Sequence, residues 1–187
     1  MTAGAVLCGG ASRRMGADKA LIEVDGTPMA ERVARSLAAA GCDPVFLVGG
    51  DPAALDHVGR TTIADRWPGQ GPLGGIVTAL SATVDDTIVA ACDLAQLDAD
   101  TVRSLLTAAA GAPTGTEVVV ARTGRLEPAL AWWSRSASAP LQALWSDGVR
   151  AVHEAIAAVR SMEVVVDAAA LRNVNRPNDL PGRRSVG

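Results

Sequence analysis

Tyrosine is absent and phenylalanine occurs once, so the core must be aliphatic, with Trp67, Trp132, Trp133 and Trp145 as its bulky exceptions. Cysteine is scarce: Cys8, Cys42 and Cys92 stand far apart, with no C-x-x-C pair. That excludes a disulfide framework and a cysteine-built metal site, and it fits reduced, buried thiols in the cytoplasm. The only histidines, His57 and His153, have no partner at a metal-ligating or catalytic spacing, so both read as surface or capping residues. A basic surplus is missing as well, because 17 Lys and Arg face 20 Asp and Glu for a net charge of −3. Without cations to displace counterions, non-specific nucleic-acid binding is excluded as a function. No apolar run reaches membrane-spanning length. The opening MTAGAVLCGG has no basic start followed by a long apolar stretch, so no signal peptide and no membrane partner are expected.

What is present is an alternation of short apolar runs and amphipathic segments. The 187 residues suit a single domain, 1–187, with 181–187 as a loose tail. Strands are expected at Ala3–Leu7, Pro44–Val48, Thr61–Ala64, Thr87–Ala91, Glu117–Ala121, Pro128–Trp133 and Met162–Val166. The fifth and sixth of these are read as neighbours. A first helix is expected from Thr27-Pro28, a capping residue followed by a first-turn proline, up to Gly41. Further helices are expected at Gly74–Ala82, Ala99–Ala110, Ala139–Trp145 and Val149–Val159, with Asp98 and Asp100 favouring the start of the second of these. Strands that are apolar without alternation, separated by helices, imply a mostly parallel sheet covered on both faces. The expected architecture is therefore an α/β, three-layer α/β/α Rossmann-like domain. Ligands of such sheets bind beyond the carboxyl ends of the strands.

Two features lie at that edge. The first is LCGGASRRMGADKAL, Leu7 to Leu21, directly after the first strand. Gly9, Gly10 and Gly16 let backbone amides approach phosphate oxygens, and Arg13, Arg14 and Lys19 supply positive charge. Taken singly, a Gly-Gly pair is often a turn and an Arg pair a solvated face. Their concentration in one loop reads as a nucleoside triphosphate cradle. It is not a P-loop, since Gly10 to Gly16 is one residue too long and Ala20 follows Lys19. Nor is it the dinucleotide fingerprint, because Gly9 and Gly10 are adjacent. The second feature is Asp93, closing the fourth strand in TIVAACDLAQL. A carboxylate there could hold Mg2+ against the triphosphate, or could simply cap a helix.

LCGGASRRMGADKAL resembles the signature loop of the MobA-like nucleotidyltransferases, roughly L-[AG]-G-G-x-S-x-R-M-G-x-D-K. Within that family it is most similar to the molybdenum cofactor guanylyltransferases. Cys8 stands where the family usually has alanine. The resemblance continues in order along nearly the whole chain. CDLAQL resembles C-D-x-P-x-[LI] with Ala95 in place of proline, and GPLGG, Gly71 to Gly75, resembles the second glycine segment. NVNRP resembles N-[VI]-N-T-P with Arg176 in place of threonine, and LEPALAWW carries Glu127 where His-Pro or Gln-Pro is usual.

The resemblance implies transfer of GMP from Mg-GTP to the terminal phosphate of molybdopterin, releasing pyrophosphate. It implies catalytic roles for Arg14, Lys19 and Asp93, with Asp93 on the metal. It implies nucleotide contacts from Leu7, Cys8, Gly9, Gly10, Lys19, Asp65, Gly71, Gly75 and Asp93, and acceptor contacts from Asn173 and Asn175. Asp65 could accept hydrogen bonds from N1–H and the amino group of guanine. The expected partners are GTP and molybdopterin, with transient contact to other molybdenum-cofactor enzymes or recipient apoenzymes. Cytidylyl transfer from CTP and a non-catalytic nucleotide-binding regulator remain the alternatives. Related cytidylyltransferases usually carry Ala-Ala-Gly where Cys8-Gly9-Gly10 stands here.

Overall fold

The computed structural model describes residues 1–9 and 19–173. Gly10, Arg14, Asn175 and the 181–187 tail lie outside the described residues. Strand β1 spans Thr2–Leu7, and a small hairpin pairs β2 (Glu23–Val24) with β3 (Thr27–Pro28). Then come α1 (Met29–Ala39), β4 (Val45–Val48), α2 (Pro52–Leu55), β5 (Thr62–Ile63), α3 (Pro72–Ser81) and β6 (Asp86–Ala91). The remainder is α4 (Ala99–Ala110), β7 (Val118–Arg122), β8 (Leu126–Trp133), α5 (Ser138–Ser146), α6 (Val152–Ala158) and β9 (Ser161–Val165).

Seven strands form one sheet in the order β5-β4-β1-β6-β8-β7-β9. β8 runs antiparallel to both its neighbours, and the other pairings are parallel. The expected α/β/α layering with a mostly parallel sheet is what the chain adopts.

The lack of hydrophobic alternation has its cause in packing. Successive residues of one strand enter opposite cores. Val6, Leu47, Ile88, Leu130 and Trp132 join α1 and α4 through Val33, Leu37, Val102 and Leu105. Ala5, Phe46, Val89, Ala131 and Trp133 join α3, α5 and α6 through Leu73, Ile76, Leu141 and Ile156. Both faces exclude water, so a polar residue on either would lose hydration without compensation. All three cysteines are buried, and both histidines are exposed, as the sequence suggested. Among the described residues no helix is long and apolar enough to cross a membrane.

Three expectations need correction. Thr27 does not cap α1: it belongs to β3, and Pro28 occupies the N-cap without a side-chain hydrogen bond. The Asp25-Gly26 turn folds this segment into a hairpin, with φ of 52° and 73° at the two residues, as tight hairpin turns demand. The helix expected from Val149 begins at Val152, because Ala151 is extended and Val149 N–H closes the end of α5 on the Leu144 carbonyl. The third strand, expected over Thr61–Ala64, spans Thr62–Ile63, so Asp65 lies two residues past its end.

Candidate functional site

The site is built by strand register. Leu7 of β1 lies opposite Ala91 of β6, so the chain leaves the two neighbouring strands at adjacent tips. The Cys92 N–H donates to the Leu7 carbonyl at 3.1 Å, and the Cys8 N–H donates to the Val48 carbonyl at 2.8 Å. The Leu7 carbonyl and the Cys8 N–H are thus committed to the sheet, and Gly9 is the first residue at the open edge. The Leu7 side chain packs against α3, and the Cys8 thiol is buried in the core.

Lys19 returns to the same edge in a short helical turn, Lys19–Leu21. Its Nζ donates to Asp93 Oδ2 at 2.9 Å, with only 19% and 21% of the two side chains exposed. Two residues 74 apart in sequence therefore meet in a half-buried ion pair. Asp93 does not cap the following helix. Asp98 does, accepting from the Thr101 N–H at 2.7 Å. The second Asp93 oxygen, Oδ1, is buried and has no hydrogen-bond partner among the described residues. A buried carboxylate oxygen without a donor is costly unless a cation or ligand meets it. Hard divalent cations prefer such oxygen donors. Among the described residues no group of three or more His, Cys, Asp or Glu could hold a metal. Mg2+ commonly takes one or two carboxylates and fills the rest of its shell with phosphate oxygens and water.

Asp65 sits on the other side of the β1 tip. Its Oδ1 accepts from the Trp67 N–H at 3.0 Å and from the Thr78 hydroxyl at 3.3 Å. Its Oδ2 lies 3.7 Å from where a Cβ on Gly9 would stand. Thr78, a buried polar residue of α3, thus orients a carboxylate that borders the phosphate loop. Gly49 completes the contact, and the sequence reading did not single it out. It has φ +75°, and a Cβ there would be 3.1 Å from both the Cα and the N of Gly9. The signal was the Gly49-Gly50 pair after β4, the same pattern that marks β1.

The GPLGG segment divides into two roles. Gly71 is the N-cap of α3 with φ +100°, followed by Pro72 in the first turn. The first-turn amides there are the ones left without intrahelical partners. Gly74 and Gly75 serve packing. A Cβ on Gly74 would lie 3.0 Å from the Trp145 ring, and one on Gly75 would lie 3.2 Å from Leu7. Trp145 in turn packs against Trp67 with the rings tilted by 40° and their centroids 4.8 Å apart, and carries Arg150 over its ring at 3.8 Å.

A separate groove opens at the far end of the same edge. The β7–β8 hairpin overhangs the sheet because β8 pairs with β6 only from Leu130 onward, and its register with β7 shifts at Val120/Ala121. Glu127 lies on this overhang. Its Oε1 accepts from the Thr123 hydroxyl at 2.6 Å and from Arg125 Nε at 3.1 Å, so it is engaged within the hairpin. Asn173 and Glu127 both line a groove of about 610 Å³ that also includes Arg125, Leu171 and Arg172. The structure thus groups Gly9, Lys19, Asp65 and Asp93 at the tips of β1, β5 and β6, and Asn173 with Glu127 around the groove beside the β7–β8 hairpin.

The chain is similar to known proteins over most of its length. Residues 4–162 match the model of the MobA-like NTP transferase domain. A protein of Chloroflexus aggregans named probable molybdenum cofactor guanylyltransferase is 31% identical, the match covering 96% of this chain and 92% of that one. One of the same name from Opitutus terrae is 32% identical over 97% of this chain and 94% of its own. The crystal structure of molybdopterin-guanine dinucleotide biosynthesis protein A from Archaeoglobus fulgidus superposes with a TM-score of 0.77, covering 96% of this chain and 94% of that one, at 22% identity. The chain belongs to the MobA-like NTP transferase family and is a nucleotidyltransferase.

Proposed function

We propose that the protein transfers GMP from Mg-GTP to the terminal phosphate of molybdopterin, forming molybdopterin guanine dinucleotide and releasing pyrophosphate. The observation that carries this reading is the Lys19–Asp93 pair at the carboxyl edge, with Asp93 Oδ1 buried and unpartnered among the described residues. The names of the relatives, which are about one-third identical over most of both chains, support the choice of guanine and of molybdopterin.

In this mechanism a phosphate oxygen of the acceptor attacks the α-phosphorus of GTP. The bond from that phosphorus to the α–β bridging oxygen breaks, and pyrophosphate leaves with the electron pair. A phosphate monoester is already anionic near neutral pH, so no strong base is needed. Positioning and charge stabilisation do the work. Lys19 and Arg14 contact the triphosphate and the departing pyrophosphate, and the amides of Gly9 and Gly10 line the same oxygens. Asp93 would hold Mg2+, which would supply positive charge to offset the phosphates. Asp65 accepts from the N1–H and amino group of guanine, and the amides at Gly71 approach the nucleotide. Asn173 and Asn175 hold the acceptor. The product then passes to recipient apoenzymes through transient contact.

The test is pyrophosphate release with Mg2+, molybdopterin and each of the four nucleoside triphosphates. Release with GTP alone is expected. Release with CTP would move the assignment to cytidylyl transfer, and nucleotide binding without release would make the chain a regulator.

A further inference from the structure

The segment that carries Asp93 is held from outside by one helix. The Leu97 N–H donates to the Leu94 carbonyl at 2.8 Å, closing a turn over 94–97 with Ala95 at its second position. Proline is favoured there because its ring fixes φ, whereas alanine leaves the turn free to open. Two side chains of α1, one helical turn apart, clamp this turn by its carbonyls. Arg32 Nε donates to the Ala95 carbonyl at 3.0 Å, and the Ser36 hydroxyl donates to the Leu97 carbonyl at 2.6 Å.

The same guanidinium reaches back toward the hairpin that follows Lys19. Arg32 Nη1 donates to the Val24 carbonyl at 3.4 Å and lies 3.6 Å from Asp25 Oδ2. Beneath it, Val24, Met29 and Ala95 form a small buried apolar cluster. The Ile22 carbonyl, three residues after Lys19, accepts from the Met29 N–H at 2.9 Å. One arginine therefore ties the segment leading from Lys19 to the segment carrying Asp93. Its fork of donors suits it to bridge two carbonyls, which a single ammonium cannot do as well.

We infer that Arg32, assisted by Ser36, is a positioning residue that fixes Asp93 and Lys19 in their metal- and phosphate-binding arrangement, doing by hydrogen bonds what a proline at position 95 would do covalently. The inference rests on the reading of Asp93 as the metal carboxylate. Residues that orient a metal ligand typically contribute about 10- to 100-fold to metal affinity.

The test measures Mn2+ binding in the presence of GTP by the electron paramagnetic resonance signal of the free ion, together with melting temperature. The variants are Asp93→Asn, Arg32→Ala, Arg32→Lys, Arg32→Ala/Ala95→Pro and Arg35→Ala. Asp93→Asn is expected to abolish protein-dependent Mn2+ binding; if it binds as the wild type does, the metal reading falls and the inference with it. With that arm intact, Arg32→Ala should weaken Mn2+ binding at least about tenfold. Adding Ala95→Pro should recover most of the loss. Arg32→Lys should fall between wild type and Arg32→Ala, which keeps the test valid if Arg32→Ala folds poorly. Arg35 pairs with Glu31 on the helix surface, so Arg35→Ala should change nothing. A lower melting temperature for Arg32→Ala and Arg32→Lys with unchanged Mn2+ affinity would overturn the inference and leave the proposed function standing.

Discussion

The two ends of the sheet's carboxyl edge are built differently. At the β5-β4-β1-β6 end, residues are placed by parallel register and glycine contact. Lys19 meets Asp93, Gly9 abuts Gly49, and Asp65 is oriented by Thr78. At the β7–β8 end, Glu127 and Asn173 belong to an overhanging hairpin and the segment after β9, around an open groove. The first end has little room to vary, since a shift of one strand moves several groups at once. The second can change residues without disturbing the sheet. A triphosphate cradle needs the first kind of construction, and acceptor selectivity can be adjusted on the second.

The sharpest way to break this comparison is at the ion pair. Lys19→Ala should lower turnover on the order of a hundredfold or more, the cost of removing a charge that acts on the transition state. Single-turnover pyrophosphate release checks it. Next comes Gly49→Ala, which puts a side chain at φ +75° and 3.1 Å from the Gly9 backbone. Such backbone strain costs about 1–3 kcal/mol. It should appear both as a lower melting temperature and as a weaker KM for GTP, because the displaced residue is in the cradle.

Smaller effects separate donor from acceptor. Asp65→Asn should raise the KM for GTP about tenfold through a lost charge-assisted hydrogen bond, with the molybdopterin KM unchanged. Glu127→Gln should do the reverse, lowering the KM for the anionic acceptor a few-fold and leaving GTP alone, since the carboxylate is already partly offset by its ion pair with Arg125. Equal effects on both substrates in either variant would erase the division. The smallest expected effect lies away from the edge. Burial pushes the Cys42 thiol up to about 11, so in the folded protein it stays protonated well above the ordinary thiol range. Iodoacetamide at pH 8 should leave Cys42 unmodified until the chain unfolds, as mass spectrometry of the labelled protein would read.

How much of this was legible in the sequence depended on where the information sat. β1, β6 and α4 are continuous apolar runs or carry a capping aspartate, and their bounds were close to those observed. The β2–β3 hairpin was missed because Thr27-Pro28 imitates a helix start, although Asp25-Gly26 is itself a hairpin signal. The insertion of β8 between β6 and β7 leaves no local trace, since sheet order is set by packing over long sequence separations. At the site, Lys19 was visible as one of three cations gathered beside glycines in a single loop, and Asp93 as a carboxylate following an apolar strand. Arg32 and Ser36 were not. Their partners are backbone carbonyls of a distant turn, which carry no residue-type signal, and on a helix they read as an ordinary solvated face. Gly75 has a packing role that its motif did not disclose, the close approach to Leu7.

The most direct test of the central claim is a crystal structure of the protein with Mg2+ and a non-hydrolysable GTP analogue. The account predicts the metal on Asp93 and the triphosphate between Gly9 and Lys19, with guanine at Asp65. A triphosphate lying in the groove beside Asn173, with Asp93 still bound only to Lys19, would contradict it.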